Sequence, residues 1–271
     1  MKKRIIFYFS ATGNSLYVAN ELKGEDGEAL SIPQLMKNGK FDFEAEEIGF
    51  VYPIYMHIPP FMVQQFIAKA HLKADYFFAV PTFGARAPMV SEILQDIAEK
   101  AGYHFDYIRP VQMVDNWLHH FNMDDQKKID KHIPEQLAQV KADLAMRRHY
   151  IQPVTDEDRY IHNTAYHMSG LDKTEGFRFH SEKHFVVTDA CIKCGICTKV
   201  CPRGNWRLGE KKAETSGQCD YCLACIQNCP KKAIQFADLN DAFLKPEENP
   251  NARYRNPHVS VKQIEEANCQ H

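Results

Sequence analysis

Eight of the nine cysteines in this 271-residue chain crowd into residues 191–229. They read CIKCGICTKVCP at 191–202 and CDYCLACIQNCP at 219–230, the same C-x2-C-x2-C-x3-C-P pattern twice. Each cysteine recurs 28 residues later: Cys191 as Cys219, Cys194 as Cys222, Cys197 as Cys225 and Cys201 as Cys229. Clustered thiols of this kind bind metal where the compartment is reducing. A disulfide framework belongs instead to small secreted domains, and this chain is larger and shows no export signal. Zinc usually takes four ligands from two CxxC pairs, whereas CxxCxxC puts three thiolates on one short loop. Cys269 lies outside the repeat and reads as a free thiol.

The spacing resembles the bacterial two-cluster ferredoxin run, in which the fourth cysteine of each run ligates the other cluster. Three close cysteines wrap three corners of a cubane, and the proline turns the chain toward its neighbour. The expected ligand sets are therefore Cys191, Cys194, Cys197 and Cys229 for one [4Fe–4S] cluster, and Cys219, Cys222, Cys225 and Cys201 for the second. Between Asp189 and Lys232 eight basic residues face four acidic ones, a side-chain balance of +4 that anionic clusters would offset.

A second chemical signal stands near the start. In RIIFYFSATGNSLYVANEL, residues 4–22, an apolar run stops at Ser10 and a polar, glycine-containing hexamer leads directly into a helical pattern. A helix N-terminus offers orphan N–H donors and a positive dipole end. Gly13 allows close backbone approach, while Ser10, Thr12, Asn14 and Ser15 add hydroxyls and an amide. Such a loop, with Ala11, can hold a phosphate monoester without a cationic side chain. It lacks the Lys of a P-loop and the three glycines of a dinucleotide fingerprint. The same residues also make good helix caps.

The hexamer resembles the phosphate loop of flavodoxins, and that resemblance implies FMN bound at the carboxyl ends of strands one, three and four. The loops after strands three and four read YPIYMHIPP (52–60) and PTFGARAP (81–88). Pro53, Ile54, Tyr55, Thr82, Phe83, Gly84, Ala85 and Arg86 are the expected ring-side residues, with Tyr55 and Phe83 as stacking candidates against ordinary packing. Gly84 permits a peptide orientation that bonds the flavin edge. Arg86 stands to face the anionic reduced flavin or an acidic substrate, or to be a solvated loop residue. Asp115, Asn116 and Trp117 follow strand five and are expected at the substrate face, or as a helix start and a packing Trp. His57 lies in the loop after strand three. Arg86, Tyr55 and Asn116 are the catalytic candidates.

Positioning these loops requires alternating strands and helices. Apolar runs at 5–9, 28–32, 47–52, 75–80 and 105–113 read as strands, and helical spacing recurs at 15–22, 60–69, 87–101 and across 129–144, where Pro134 is expected to split the pattern. Repeated βα units predict a flavodoxin-like, doubly wound five-stranded parallel sheet over 1–150. A polar linker at 151–183, a small α+β two-cluster ferredoxin domain at 184–238 and an extended or mobile tail at 239–271 follow. The net charge of −2 gives no bulk field for nucleic acid or membrane. With no apolar run long enough to span a bilayer, the expected location is cytoplasmic.

Taken together, FSATGNS, the two strand-end loops and the paired cysteine runs resemble the flavodoxin–ferredoxin fusion proteins of anaerobes, over roughly residues 1–236. The resemblance implies two [4Fe–4S] clusters and FMN in one chain, fed by a ferredoxin-like partner protein. Electrons would pass between clusters and flavin and then to a small-molecule acceptor. The alternatives are a non-catalytic carrier between protein partners and a ferredoxin with a structural, flavin-free α/β domain.

Overall fold

A computed structural model describes residues 2–118, 121–169, 185–236 and 252–271. His119, His120 and the stretches 170–184 and 237–251 lie outside the described residues. The chain divides into two compact units whose boundaries interleave. The sheet unit comprises Met1–Phe9, Ser15–Met113 and Lys131–Phe177, and the cluster unit comprises Ser10–Asn14, Val114–Asp130 and Arg178–His271. The expected linear order of domains is therefore replaced by an exchange. The loop Ser10–Asn14 and the segment after strand five are grouped with the cysteine half, because their hydrogen bonds run there.

In the sheet unit, β1 (Lys2–Tyr8), β2 (Gly27–Ser31), β3 (Asp42–Val51), β4 (His71–Lys73), β5 (Tyr76–Ala79), β6 (Thr82–Phe83), β7 (Tyr107–Ile108), β8 (Val111–Gln112) and β9 (Tyr150–Ile151) occur in chain order. The main sheet runs β2-β1-β3-β5-β7-β9, all parallel, with β4 beside β3. Its first five strands carry the doubly wound order of flavodoxin-like folds. Ile5–Tyr8 are buried, as a parallel strand covered on both faces requires. Phe7, Phe50, Phe43 and Phe66 form an aromatic knot with centroids as close as 4.8 Å. The helices are α1 (Asn14–Leu22), α2 (Ile32–Asn38), α3 (Phe61–Lys69), α4 (Val90–Lys100), α5 (Met123–Gln126, in the cluster unit), α6 (Ile133–Ala145) and α7 (Asp156–Ser169).

Three expectations change. Strand five is cut into β7 and β8, with Pro110, which lacks an N–H, between them, and β8 pairs with β6 in a separate two-stranded ladder. Pro134 does not split a helix but starts α6 at its first turn, where a missing N–H costs nothing. The expected linker carries β9 and α7, whose DEDRYIHNTAYHMS sequence has little apolar periodicity to announce it.

Asp143 on α6 is fully buried and accepts from Arg148 (3.1 Å), Tyr107 (3.1 Å) and Gln139 (2.9 Å). Burial alone would push its carboxyl up, but these donors together hold it below the usual carboxylate value. A depressed folded-state pKa adds stability above the unfolded value and loses it as pH falls through the folded one. Asp143→Ala is therefore expected to cost about 2 kcal/mol at pH 7, after discounting the half-exposed Arg148. That cost should shrink below roughly pH 4, which urea denaturation at pH 7 and pH 3.5 checks.

The cluster unit is built as two halves. β10 (Phe185–Val187), α8 (Ile196–Val200) and β11 (Trp206–Leu208) form the first; β12 (Ala213–Thr215), α9 (Ala224–Gln227) and β13 (Ile234–Phe236) form the second. Every element starts 28 residues after its counterpart, so the duplication in the cysteines extends to the fold. β10 pairs with β13 and β11 with β12, both antiparallel, so each ladder takes one strand from each half. Left-handed residues repeat at the same interval: Lys193 and Tyr221, Gly195 and Leu223, Gly204 and Lys232. Trp206, Ile226, Ile234 and Tyr254 are buried in the shared core, with Trp117 packed against it.

The expected extended tail is ordered where it is described. α10 (Val261–Asn268) begins with a capping box in which Ser260 and Gln263 satisfy each other's end groups. Tyr254, Val259, Ile264 and Ala267 are buried.

Candidate functional site

The conformation of each CxxCxxC loop follows from its left-handed residues. Lys193 and Gly195 in the first, and Tyr221 and Leu223 in the second, turn the chain so that successive thiols face inward. Cys191, Cys194, Cys197 and Cys229 line one cavity, with Ile192, Ile196, Leu208 and Ala213 as apolar wall. The charge neighbours of Cys197 are Cys194, Cys191 and Cys229, while those of Cys222 are Cys201 and Cys219. Each fourth cysteine therefore stands with the first three of the other run. Among the described residues no three His, Cys, Asp or Glu side chains converge on a single ion. The first thiol set surrounds a space instead, the arrangement a cluster of several atoms needs.

Burial pushes Cys197 and Cys219 up to about 12 and moves Cys222 and Cys225 higher still. Thiolates here need positive charge beside them, which iron would supply, and loading releases protons. Backbone donors are placed symmetrically. Asn205 N–H donates to Cys201 Sγ at 3.4 Å, and its counterpart 28 residues on, Ala233 N–H, donates to Cys229 Sγ at 3.3 Å. Such bonds stabilise charge on the sulfur and tune potential. Arg203 pairs with buried Asp220 at 2.8 Å.

The loop Ser10–Asn14 sits in this same unit and is buried. Gly13 N–H donates to Ser10 Oγ at 3.2 Å. The N–H groups of Ala11, Thr12 and Asn14 have no acceptor among the described residues. Buried N–H groups without acceptors are rare, so this donor set fits a phosphate. Asn116 donates from Nδ2 to Thr12 Oγ1 at 2.5 Å and accepts from Gln227 through its backbone carbonyl. It thus belongs to the loop rather than to an open face, and Trp117 is a core residue. Gly13 has φ +97°, and the close approach there is made by Val259: an added Cβ would meet the Val259 Cβ at 2.9 Å.

The sheet unit gathers the other expected residues at the ends of β3 and β5. Thr82 Oγ1 and Ser15 Oγ are 2.8 Å apart, Ile54 N–H donates to the Thr82 carbonyl at 2.8 Å, and Pro53 bridges Thr82. Tyr55 and Ile58 exchange backbone bonds around left-handed Met56 and His57, a tight turn. The Gly84 carbonyl accepts from Gln112. Phe83 is partly exposed, and Ala85 and Arg86 are exposed. Sequence reasoning missed His162 on α7, whose ring lies 5.6 Å from that of His57. Burial, then His162 and Arg86, lower His57 to about 4, so both rings with Arg86 form a site that favours neutral imidazole.

A family profile described as a 4Fe-4S dicluster domain matches residues 183–243. A protein NrfC homolog of Haemophilus influenzae is 35% identical over 66 residues, covering 21% of this chain and 29% of its own. One component of an ion-translocating oxidoreductase complex from Methanosarcina acetivorans is 45% identical over 47 residues, covering 17% and 18%. The chain thus spans less than a third of the length of these relatives. The structure of rubredoxin oxygen:oxidoreductase from Desulfovibrio gigas superposes with a TM-score of 0.34 at 14% identity, over 54% of this chain and 37% of that one. The cysteine half is an iron–sulfur module of ferredoxin type. No described helix is long and apolar enough to cross a membrane.

Proposed function

We propose that this protein passes electrons between two [4Fe–4S] clusters and FMN and delivers them to a small-molecule acceptor. The observation that carries this reading is that the anion loop Ser10–Asn14 and both thiol sets belong to one compact unit. When bound, the clusters supply single-electron transfer and the flavin one- or two-electron chemistry.

The chain's own residues position and insulate. Cys191, Cys194, Cys197 and Cys229 hold one cluster, and Cys219, Cys222, Cys225 and Cys201 the other. The N–H groups of Ala11, Thr12 and Asn14, with the Ser10 and Thr12 hydroxyls, take the FMN phosphate. Residues of the 52–60 and 81–88 loops, Tyr55 and Phe83 among them, contact the ring. The exposed Arg86 guanidinium is available to an anionic acceptor. Apolar walls exclude water from the first thiol set.

Anaerobic reconstitution tests the reading. The loaded chain should contain about eight iron atoms and about one FMN, and reduction by a low-potential ferredoxin should bleach the flavin and cluster bands together. Clusters that bleach while FMN neither binds nor changes would overturn it.

A further inference from the structure

The carbonyl side of the loop is held by a set of buried donors from residues 228–268. The Ser10 carbonyl accepts from Asn268 Nδ2 at 2.9 Å, the Ala11 carbonyl from Asn228 Nδ2 at 3.3 Å, and the Thr12 carbonyl from the Asn256 N–H at 2.8 Å. The Asn14 side-chain oxygen accepts from the Tyr254 hydroxyl at 2.6 Å and from Asn256 Nδ2 at 3.1 Å. Asn228, Tyr254, Asn256 and Asn268 are all at most 5% exposed.

In a planar trans peptide the C=O of one residue and the N–H of the next point in opposite directions. Fixing the Ser10 carbonyl therefore aims the Ala11 N–H, and fixing the Ala11 carbonyl aims the Thr12 N–H. These are two of the three loop donors without an acceptor among the described residues. Fixing the Thr12 carbonyl sends the Gly13 N–H to Ser10 Oγ, where it is found. Two of the pinning residues also touch the cluster ligands' neighbours. Asn228 directly precedes Cys229, and Asn268 donates to the carbonyl of Val200, which precedes Cys201, at 3.1 Å.

We propose that Asn228, Tyr254, Asn256 and Asn268 are positioning residues that set the phosphate-binding geometry of the Ser10–Asn14 loop, so that the C-terminal segment completes the FMN site. The inference rests on the FMN reading above. It assigns the clamp to the phosphate end alone, so riboflavin, which lacks the phosphate, is the discriminating probe.

FMN and riboflavin are titrated, by fluorescence, into the full-length cluster-loaded chain and its Asn268→Ala, Asn268→Asp and Tyr254→Phe variants. Wild type should prefer FMN. In Asn268→Ala that preference should fall roughly tenfold, with riboflavin affinity and cluster absorbance per iron unchanged. Asn268→Asp matches Asn in shape but cannot donate, and should not rescue. Tyr254→Phe keeps the core ring and should lose about threefold. An unchanged FMN preference in all variants overturns the inference alone, as does an equal loss for both flavins. Wild type that binds the two flavins equally overturns the FMN reading and the inference together.

Discussion

Cys229→Ser removes one of two clusters, and the one lost is the cluster of the first cysteine run. Cys229 lies in the second run, yet it lines the cavity of Cys191, Cys194 and Cys197. Iron content should drop from about eight to about four atoms per chain, with the surviving cluster held by the set that includes Cys201. Cys201→Ser should give the converse. The two half-loaded proteins are distinguished by adding Cys194→Ser. In the Cys229→Ser background it should remove no further iron, whereas in Cys201→Ser it should remove the remainder. Grouping by run, with each CxxCxxCxxxC holding its own cubane, predicts the reverse and is excluded if Cys229→Ser combined with Cys194→Ser leaves about four iron atoms.

Gly13→Ala is expected to be the most damaging single-methyl change in the anion loop. The residue sits at φ +97°, a region L side chains rarely adopt. The new methyl would meet the Val259 Cβ at 2.9 Å, the Asn256 Cβ at 3.1 Å and the Val259 Cγ1 at 3.1 Å. Backbone strain of roughly 1–3 kcal/mol and overpacking of about the same size add because both act at once. Thermal unfolding followed by the cluster bands should shift downward by roughly 5–15 °C. Val259→Ala relieves the Cγ1 contact but keeps the Cβ, so the double variant should recover only part of the loss. Full recovery would assign the cost to crowding alone and refute the backbone contribution.

The cysteine chemistry was legible because its information is local: spacing along the chain fixes which thiols share a loop, and the exchange of Cys201 and Cys229 follows from that spacing. The parallel sheet was legible through buried apolar runs such as Ile5–Phe9. Short edge strands escaped, since β9 has only Tyr150 and Ile151 to show. α7 escaped because it is polar on most positions, and with it His162. The role of residues 252–268 could not be read from KPEENPNARYRNP, a composition that resembles a solvated tail. What orders it is a set of hydrogen bonds to Ser10, Thr12 and Asn14, about 240 residues away, and no local pattern encodes partners at that separation. The Asn side chains that make those bonds are, in sequence, indistinguishable from surface asparagines.

The exchange of strands between the 28-residue halves constrains biosynthesis. β10 has no ladder until β13 exists, and the first cubane lacks its last thiol until Cys229 has been made. A ribosome that stalls between the halves would release a chain with two open metal sites and a bare strand edge. Iron delivery must therefore wait for nearly the whole polypeptide, and oxidative loss of either cubane opens a loop in the half that holds the other.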